Sequence, residues 1–348
     1  MKFLSREALQ TWLDRLANEA TLIAPRLVDG ILLYRSVSSA RDIVLDYTRP
    51  KMSAKEVVLP SSEPILLVEK RGQDVNLSEP PTGEQVVFGL RPCDAHGIAV
   101  LDAVFVAQEP VDLNYARRRN ATTLVGLSCP QMWEDCFCTS MGGMPNDPSH
   151  VDVLLTEVEN GYAVTTVTDK GRTLVAELSL QEMEYEPPES VLNEAELVLT
   201  QEHWPDRFAD QYWDLLAERC LECRMCAYLC PVCRCFDVRD QVVQQGISYS
   251  KYDRLRCWDS CTGANYRMVA GGHNPRATKG QRLRNRFFCK FHYFPVEYGL
   301  SGCVGCGRCI EACPVNIDIV EVLRDMSRAS NAPQTSKVSP NAETGITA

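Results

Sequence analysis

The hydrophobic pattern opens with helical spacing and soon shortens. Leu4, Leu9, Trp12, Leu13 and Leu16 fall on one side of a helical wheel, which predicts an amphipathic helix over Met1–Glu19. Short apolar runs follow at Gly30–Tyr34, Ile43–Leu45, Val57–Leu59 and Ile65–Val68, and each predicts a strand. Arg49-Pro50-Lys51 and Pro60 punctuate them, and the polar stretch Gly72–Glu84, with Pro80-Pro81, predicts a surface loop. Val86–Leu90 and Thr123–Leu127 are β-rich runs on either side of the helically spaced Ala95–Ala107. That strand–helix–strand order predicts neighbouring parallel strands in an α/β domain. Asp152–Val158 and Tyr162–Val167, joined by Glu159-Asn160-Gly161, predict a hairpin.

The pattern then breaks. Glu182–Ser190, with Pro187-Pro188, reads as a linker. Near Glu202 a new helix begins, with Trp204, Phe208, Tyr212, Trp213 and Leu216 as an aromatic stripe suited to packing. From residue 331 the chain is rich in Ser, Thr, Pro and Asn without apolar periodicity, which predicts a flexible tail. The expected organisation is an α/β domain over 1–185, a linker over 186–201, a mainly α-helical dicluster ferredoxin domain of bacterial type over 202–330 with a long insert, and a tail over 331–348.

Cysteine changes the picture most, with 17 in 348 residues. Cys220, Cys223, Cys226 and Cys230 precede Pro231; Cys303, Cys306, Cys309 and Cys313 precede Pro314. Each run reads C-x2-C-x2-C-x3-C-P, in which three closely spaced thiolates take three corners of a [4Fe–4S] cube and the fourth reaches the other cube. The expected sets are Cys220, Cys223, Cys226 and Cys313 for one cluster and Cys303, Cys306, Cys309 and Cys230 for the second. Zinc fits less well, because it favours separated cysteine pairs around a single tetrahedral ion.

Cys93 and Cys129 end the two parallel strands, where ligands gather in open parallel sheets, and Cys136-Phe137-Cys138 follows on the next loop. These four suggest a third [4Fe–4S] site in the first domain. Buried unligated thiols and a zinc site stay open as alternatives. His96 reads as a packing residue rather than a ligand.

About 70 residues separate the two runs, more than a minimal dicluster fold needs. Within them Lys251–Leu300 holds ten Lys/Arg against three Asp/Glu, a net +7 in a chain of net charge −10. Such a basic insert either screens thiolate-rich clusters or docks an acidic partner, and docking is the favoured reading. Cys233, Cys235, Cys257, Cys261 and Cys289 lie in or beside it without an assigned role. The acidic whole argues against nucleic-acid binding. With no secretory pattern and no apolar run approaching a membrane span, the expectation is a cytoplasmic protein whose cysteines bind metal.

Several phrases, in order, resemble one family: Arg91-Pro92-Cys93-Asp94-Ala95, Cys136-Phe137-Cys138, Cys230-Pro231-Val232-Cys233-Arg234-Cys235-Phe236-Asp237, Cys257-Trp258-Asp259-Ser260-Cys261, Gly272-His273-Asn274-Pro275-Arg276 and Gly302-Cys303-Val304-Gly305-Cys306-Gly307-Arg308-Cys309. Over residues 50–325 the chain is similar to the iron–sulfur beta subunit of soluble sulfhydrogenases and the A subunit of anaerobic sulfite reductase. The resemblance implies several [4Fe–4S] clusters and partner subunits, one flavin- or NAD(P)-binding and one catalytic, between which electrons pass. No G-x-G-x-x-G follows a strand and no C-x-x-C-H is present, so a dinucleotide or haem site of the chain's own is not expected. The expected function is electron transfer without a catalytic residue. The rivals are an enzyme subunit with an open-site cluster in the first domain and a cluster-based redox-sensing adaptor.

Overall fold

The computed structural model describes residues 2–184 and 203–328. The linker expected at 186–201 and the tail at 331–348 lie outside the described residues.

The first half is built on an eight-stranded sheet in the order β10-β1-β9-β8-β7-β6-β2-β3. Its strands are β1 (Lys2–Ser5), β2 (Thr21–Val28), β3 (Ile31–Ser36), β6 (Gln85–Leu90), β7 (Thr122–Leu127), β8 (Val153–Val158), β9 (Gly161–Thr166) and β10 (Gln181–Glu182). β2, β6, β7 and β8 run parallel, and the flanking pairs are antiparallel. Alternation along β6 sends Val86 and Phe88 to one face and Val87 to the other, and the irregularity at Gly89 turns Leu90 to the side of Val87. The first face packs on the helix Arg6–Glu19 through Leu9, Trp12, Leu13 and Leu16. The second packs on the helix Pro92–Phe105 through Ala95, Ile98, Leu101 and Phe105. Both faces are therefore covered, as parallel sheets require. The strand–helix–strand unit and the hairpin stand where the pattern placed them, with Asn160 at φ 64° in the turn.

Other expectations need correction. The opening helix starts only at Arg6, because Lys2–Ser5 pairs with β9 and the Ser5 hydroxyl caps the helix by accepting from the Ala8 N–H at 3.2 Å. Val57–Leu59 is no strand: Lys55–Val58 is a helical turn whose Val57 and Val58 fill the core under the sheet. Ile43–Leu45 has no strand partner and packs against the opposite core. Gly72–Glu84 is partly strand, since β5 (Asp74–Ser78) pairs with β4 (Ser62–Arg71).

The second half is only in part the helical domain expected. Its described residues do hold short helices, among them Tyr212–Arg219, Lys279–Phe288 and Ile319–Ser327. The insert, however, opens with two ten-residue strands, β11 (Phe236–Gln245) and β12 (Tyr249–Trp258). They form an antiparallel sheet with strands of the first half, in the order β11-β12-β4-β5. β12 meets β4 over Tyr249–Cys257, so the insert spends much of its length on backbone pairing across the two halves. The aromatic stripe does pack: Trp204 and Trp213 lie with Phe287, Phe288 and Phe291 in a core that reaches Phe137 and Cys303. No helix among the described residues is long and apolar enough to cross a membrane.

Contact between the halves is close enough to need missing side chains. A Cβ on Gly97, in the helix Pro92–Phe105, would stand 2.5 Å from Cβ of Pro231. A Gly97→Ala variant should therefore lower stability by about 1–3 kcal/mol, the usual cost of overpacking. The urea midpoint of anaerobic protein measures this, with Gly83→Ala, which meets nothing within 4 Å, as the control expected to be unchanged.

Candidate iron–sulfur centres

The chain gathers its cysteines into separate cavities. The first is lined by Cys220, Cys223, Cys226 and Cys313 together with Cys309, so the end of the second run joins the first three cysteines of the first. The next is lined by Cys303, Cys306, Cys309 and Cys230, the reciprocal combination. Backbone geometry prepares the sulfurs. The Glu222 N–H donates to Cys220 Sγ at 3.4 Å, Ile317 N–H to Cys313 Sγ at 3.2 Å, and Gly305 N–H to Cys303 Sγ at 3.5 Å. Glu222 and Arg224 adopt positive φ of 55° and 65° in the first loop, and Gly305 and Gly307 adopt 64° and 72° in the second. These turns wrap the loops about their cavities.

A third cavity brings together Cys93, Cys129, Cys136 and Cys138 at the ends of β6 and β7. Cys306 lines it as well as the second cavity. The two loops touch directly: the Phe137 N–H donates to Gly305 O at 2.8 Å, and a Cβ on Gly305 would lie 2.5 Å from the Phe137 carbonyl. Glycine is required there both for its positive φ and for this approach.

Buried cations serve these thiols, and sequence reasoning passed over most of them. Arg91 spans the strand ends, donating from Nε to Thr48 O at 2.8 Å and from Nη1 to Ser128 O at 2.6 Å. Arg308, in the second run, pairs with Asp94, one residue beyond Cys93, at 2.7 Å, and both side chains are almost wholly buried (1% and 0% exposed). Its Nε donates to Pro50 O at 3.1 Å, whereas Nη1 is buried without a partner. Burial disfavours the Arg308 charge, but Asp94, Cys306 and Cys93 beside it keep it firmly cationic. Arg49 donates to Cys136 Sγ at 3.4 Å. Lys290 donates to Cys230 Sγ at 3.2 Å and to Gly302 O at 3.0 Å. Burial alone would discharge it, yet Cys230 and Cys233 hold its pKa above the ordinary lysine value. The signal that could have found Arg91 and Arg308 was their adjacency to Cys93 and Cys309.

Without metal several of these thiols resist ionisation. Burial pushes Cys309 and Cys138 up to about 12 and raises Cys93, Cys129 and Cys303 as well. A thiolate-ligated iron cluster removes that penalty by taking the place of the proton. The residues present fit such a group: converging thiols, backbone N–H donors to sulfur, buried cations and an unpartnered guanidinium N–H on Arg308, whose charge is felt by Cys306 and Cys93. They fit a single ion less well, since no three His, Cys, Asp or Glu side chains among the described residues come together tightly enough to hold one.

Part of the basic insert is turned inward. Arg286 is buried and faces thiols, while Arg282 is buried against Glu222 at 2.6 Å and donates to Ala277 O at 2.7 Å. Arg284 lies 3.5 Å over the Phe208 ring. These arginines bind the chain's own loops rather than offering a free docking face. His96 stacks on His150 at 4.8 Å.

Crossed cysteine runs around two thiol-lined cavities define an iron–sulfur protein of the [4Fe–4S] electron-transfer class. Residues 219–317 match the family model described as a 4Fe-4S dicluster domain. Sulfhydrogenase 2 subunit beta of Pyrococcus furiosus is 33% identical over 338 residues, covering 93% of this chain and 97% of that one. The chain belongs to that family of sulfhydrogenase beta subunits. No solved structure matches it.

The Arg308–Asp94 pair yields a test. Arg308→Met strands a buried carboxylate and should cost about 3–5 kcal/mol, whereas Arg308→Met combined with Asp94→Asn should recover much of the loss. Thermal unfolding of the single and double variants against the wild type under anaerobic conditions measures it.

Proposed function

We propose that this chain is the electron relay of a multi-subunit oxidoreductase. It would carry electrons between a flavin- or NAD(P)-binding partner, or a ferredoxin-linked one, and a catalytic subunit such as a hydrogenase or sulfite reductase. The observation that carries the reading is the continuity of the thiol cavities: Arg286 lines the first and the second, and Cys306 lines the second and the third. The relative's name, a sulfhydrogenase subunit, supports a place in such an assembly.

The first cluster would be held by Cys220, Cys223, Cys226 and Cys313, the second by Cys303, Cys306, Cys309 and Cys230, and the third by Cys93, Cys129, Cys136 and Cys138. Bound there, the clusters would supply one-electron carriers. The chain's own side chains do the rest. Lys290, Arg286, Arg308 and Arg49 offset thiolate charge, the N–H donors to sulfur favour the reduced state, and the aromatic core of Trp204, Trp213 and Phe287 keeps water away.

Two measurements test this. Cys313→Ser should perturb the cluster held by Cys220, Cys223 and Cys226, and Cys230→Ser the cluster held by Cys303, Cys306 and Cys309. Electron paramagnetic resonance that resolves the cubes reads the assignment, and the reverse pattern would exclude the crossed arrangement.

Turnover is the second measurement. The purified chain, given reduced viologen, should consume no sulfite, polysulfide or protons, while the assembled complex should. Turnover by the chain alone would replace the relay with an enzyme carrying an open-site cluster.

A further inference from the structure

Five of the 17 cysteines stand outside the three cavities described: Cys233, Cys235, Cys257, Cys261 and Cys289. Four of them, all but Cys257, line one cavity of about 360 Å³. They arrive from three separate stretches of chain. Cys233 and Cys235 follow the first run, Cys261 follows β12, and Cys289 opens a π-helical turn, Cys289–Tyr293, at the end of the helix Lys279–Phe288. A π turn is uncommon and found mostly at functional sites, and here it aims both Cys289 and Lys290 at the cavity. Cys257 instead sits in β12 with its sulfur 3.4 Å from the Ser62 hydroxyl.

We infer that Cys233, Cys235, Cys261 and Cys289 form a fourth iron–sulfur site, holding a [4Fe–4S] cluster beside the second one. Converging thiols from distant segments are the donor set such a cluster takes. The charge around them suits it. Four thiolates on a cube leave a net negative charge, and Arg267, Arg276, Arg286 and Lys290 all line the cavity against one acid, Glu297. Arg286 Nη1 donates to Cys233 Sγ at 3.5 Å. The Cys235 thiol lies within hydrogen-bonding reach of Cys261 and Tyr266. A single zinc ion, with Zn–S near 2.3 Å, would need its thiolates about 3.8 Å apart. No such trio is gathered among the described residues, whereas a cube spreads its thiolates over four irons.

Position gives the site a role. Cys233 contacts Cys230, a ligand proposed for the second cluster, and Arg286 lines this cavity as well as the first and second. A cluster here would branch the relay toward the side of the molecule where β11 and β12 lie. The inference rests on the iron–sulfur reading of the chain but not on which partners it serves.

Native mass spectrometry of the full chain, anaerobically reconstituted with iron and sulfide, counts cubes directly. The wild type should carry four, about sixteen iron atoms. Cys235→Ser and Cys261→Ser should each carry three and lose one cube's share of the Mössbauer spectrum, while Cys257→Ser keeps four. A Cys235→Ser or Cys261→Ser variant that keeps the wild-type number overturns the site. Three cubes in the wild type with a further loss in Cys129→Ser would remove this fourth site and leave the relay reading intact. If those variants are too unstable to purify, the wild-type count read together with Cys129→Ser decides.

Discussion

The fold depends on keeping positive charge buried among thiols. Arg286 is the centre of this arrangement: fully buried, it faces Cys226, Cys233, Cys309 and Cys230 at once. A guanidinium in such a place is costly unless anions surround it, and thiolates are costly there unless cations do. Each makes the other tolerable. Arginine suits the position because it cannot shed its proton and presents several donors from one planar head. Lys290, one helical turn on, repeats the logic against Cys230 and Gly302 O. Arg286 and Lys290, which look like part of a surface patch in the sequence, are thus internal counter-ions.

The same reasoning explains why the two halves cannot be read as independent. Arg308 leaves the second cysteine run to reach Asp94 in the first half, and Asp94 also accepts from the Tyr34 hydroxyl at 3.2 Å and the Ala54 N–H at 3.3 Å. Glu311 takes Arg49 at 2.8 Å and Lys51 at 2.7 Å across the same seam. Lys55 donates to Ala227 O and Cys233 O, with Trp258 beneath it at 4.1 Å. Polar groups buried between two bodies need partners of fixed geometry, so the seam holds the cavities at fixed separations. Fixed separations are what a relay requires of its scaffold.

Legibility followed locality. The cysteine runs, the parallel unit Val86–Leu127 and the Asn160 hairpin were readable because their signals lie within a few residues of each other. Cys93, Cys129, Cys136 and Cys138 could be grouped because strand ends in a parallel sheet point one way. Val57–Leu59 misled because a short apolar run does not distinguish a buried strand from a buried helical turn. β5 was hidden because its residues are all exposed, and its pairing with β4 depends on backbone bonds rather than on an apolar face. The pairing of β12 with β4 joins residues nearly 190 positions apart, and no local pattern announces it. Lys55, Arg49 and Arg91 were missed for the reverse reason: charged residues read as solvated until burial is seen.

That pairing also accounts for the length of the insert. β11 and β12 run out from Phe236 and back to Trp258, adding two strands to the β4–β5 edge. Returning to the core, the chain delivers Arg256 to Glu63 and Asp112, all at the seam. Cys261 arrives three residues after the last paired strand, and Thr278 then caps the helix that carries Arg282, Arg286 and Cys289 inward. A minimal dicluster loop could not do this. It would leave Cys233 without the Arg286 and Lys290 that face it. The hairpin anchors one end of the insert to β4, and the capped helix closes the other end over the first cavity with Leu283, Arg286 and Phe287. The extra residues therefore build a wall, positively charged on its inner side, around thiols that the two cysteine runs alone could not enclose.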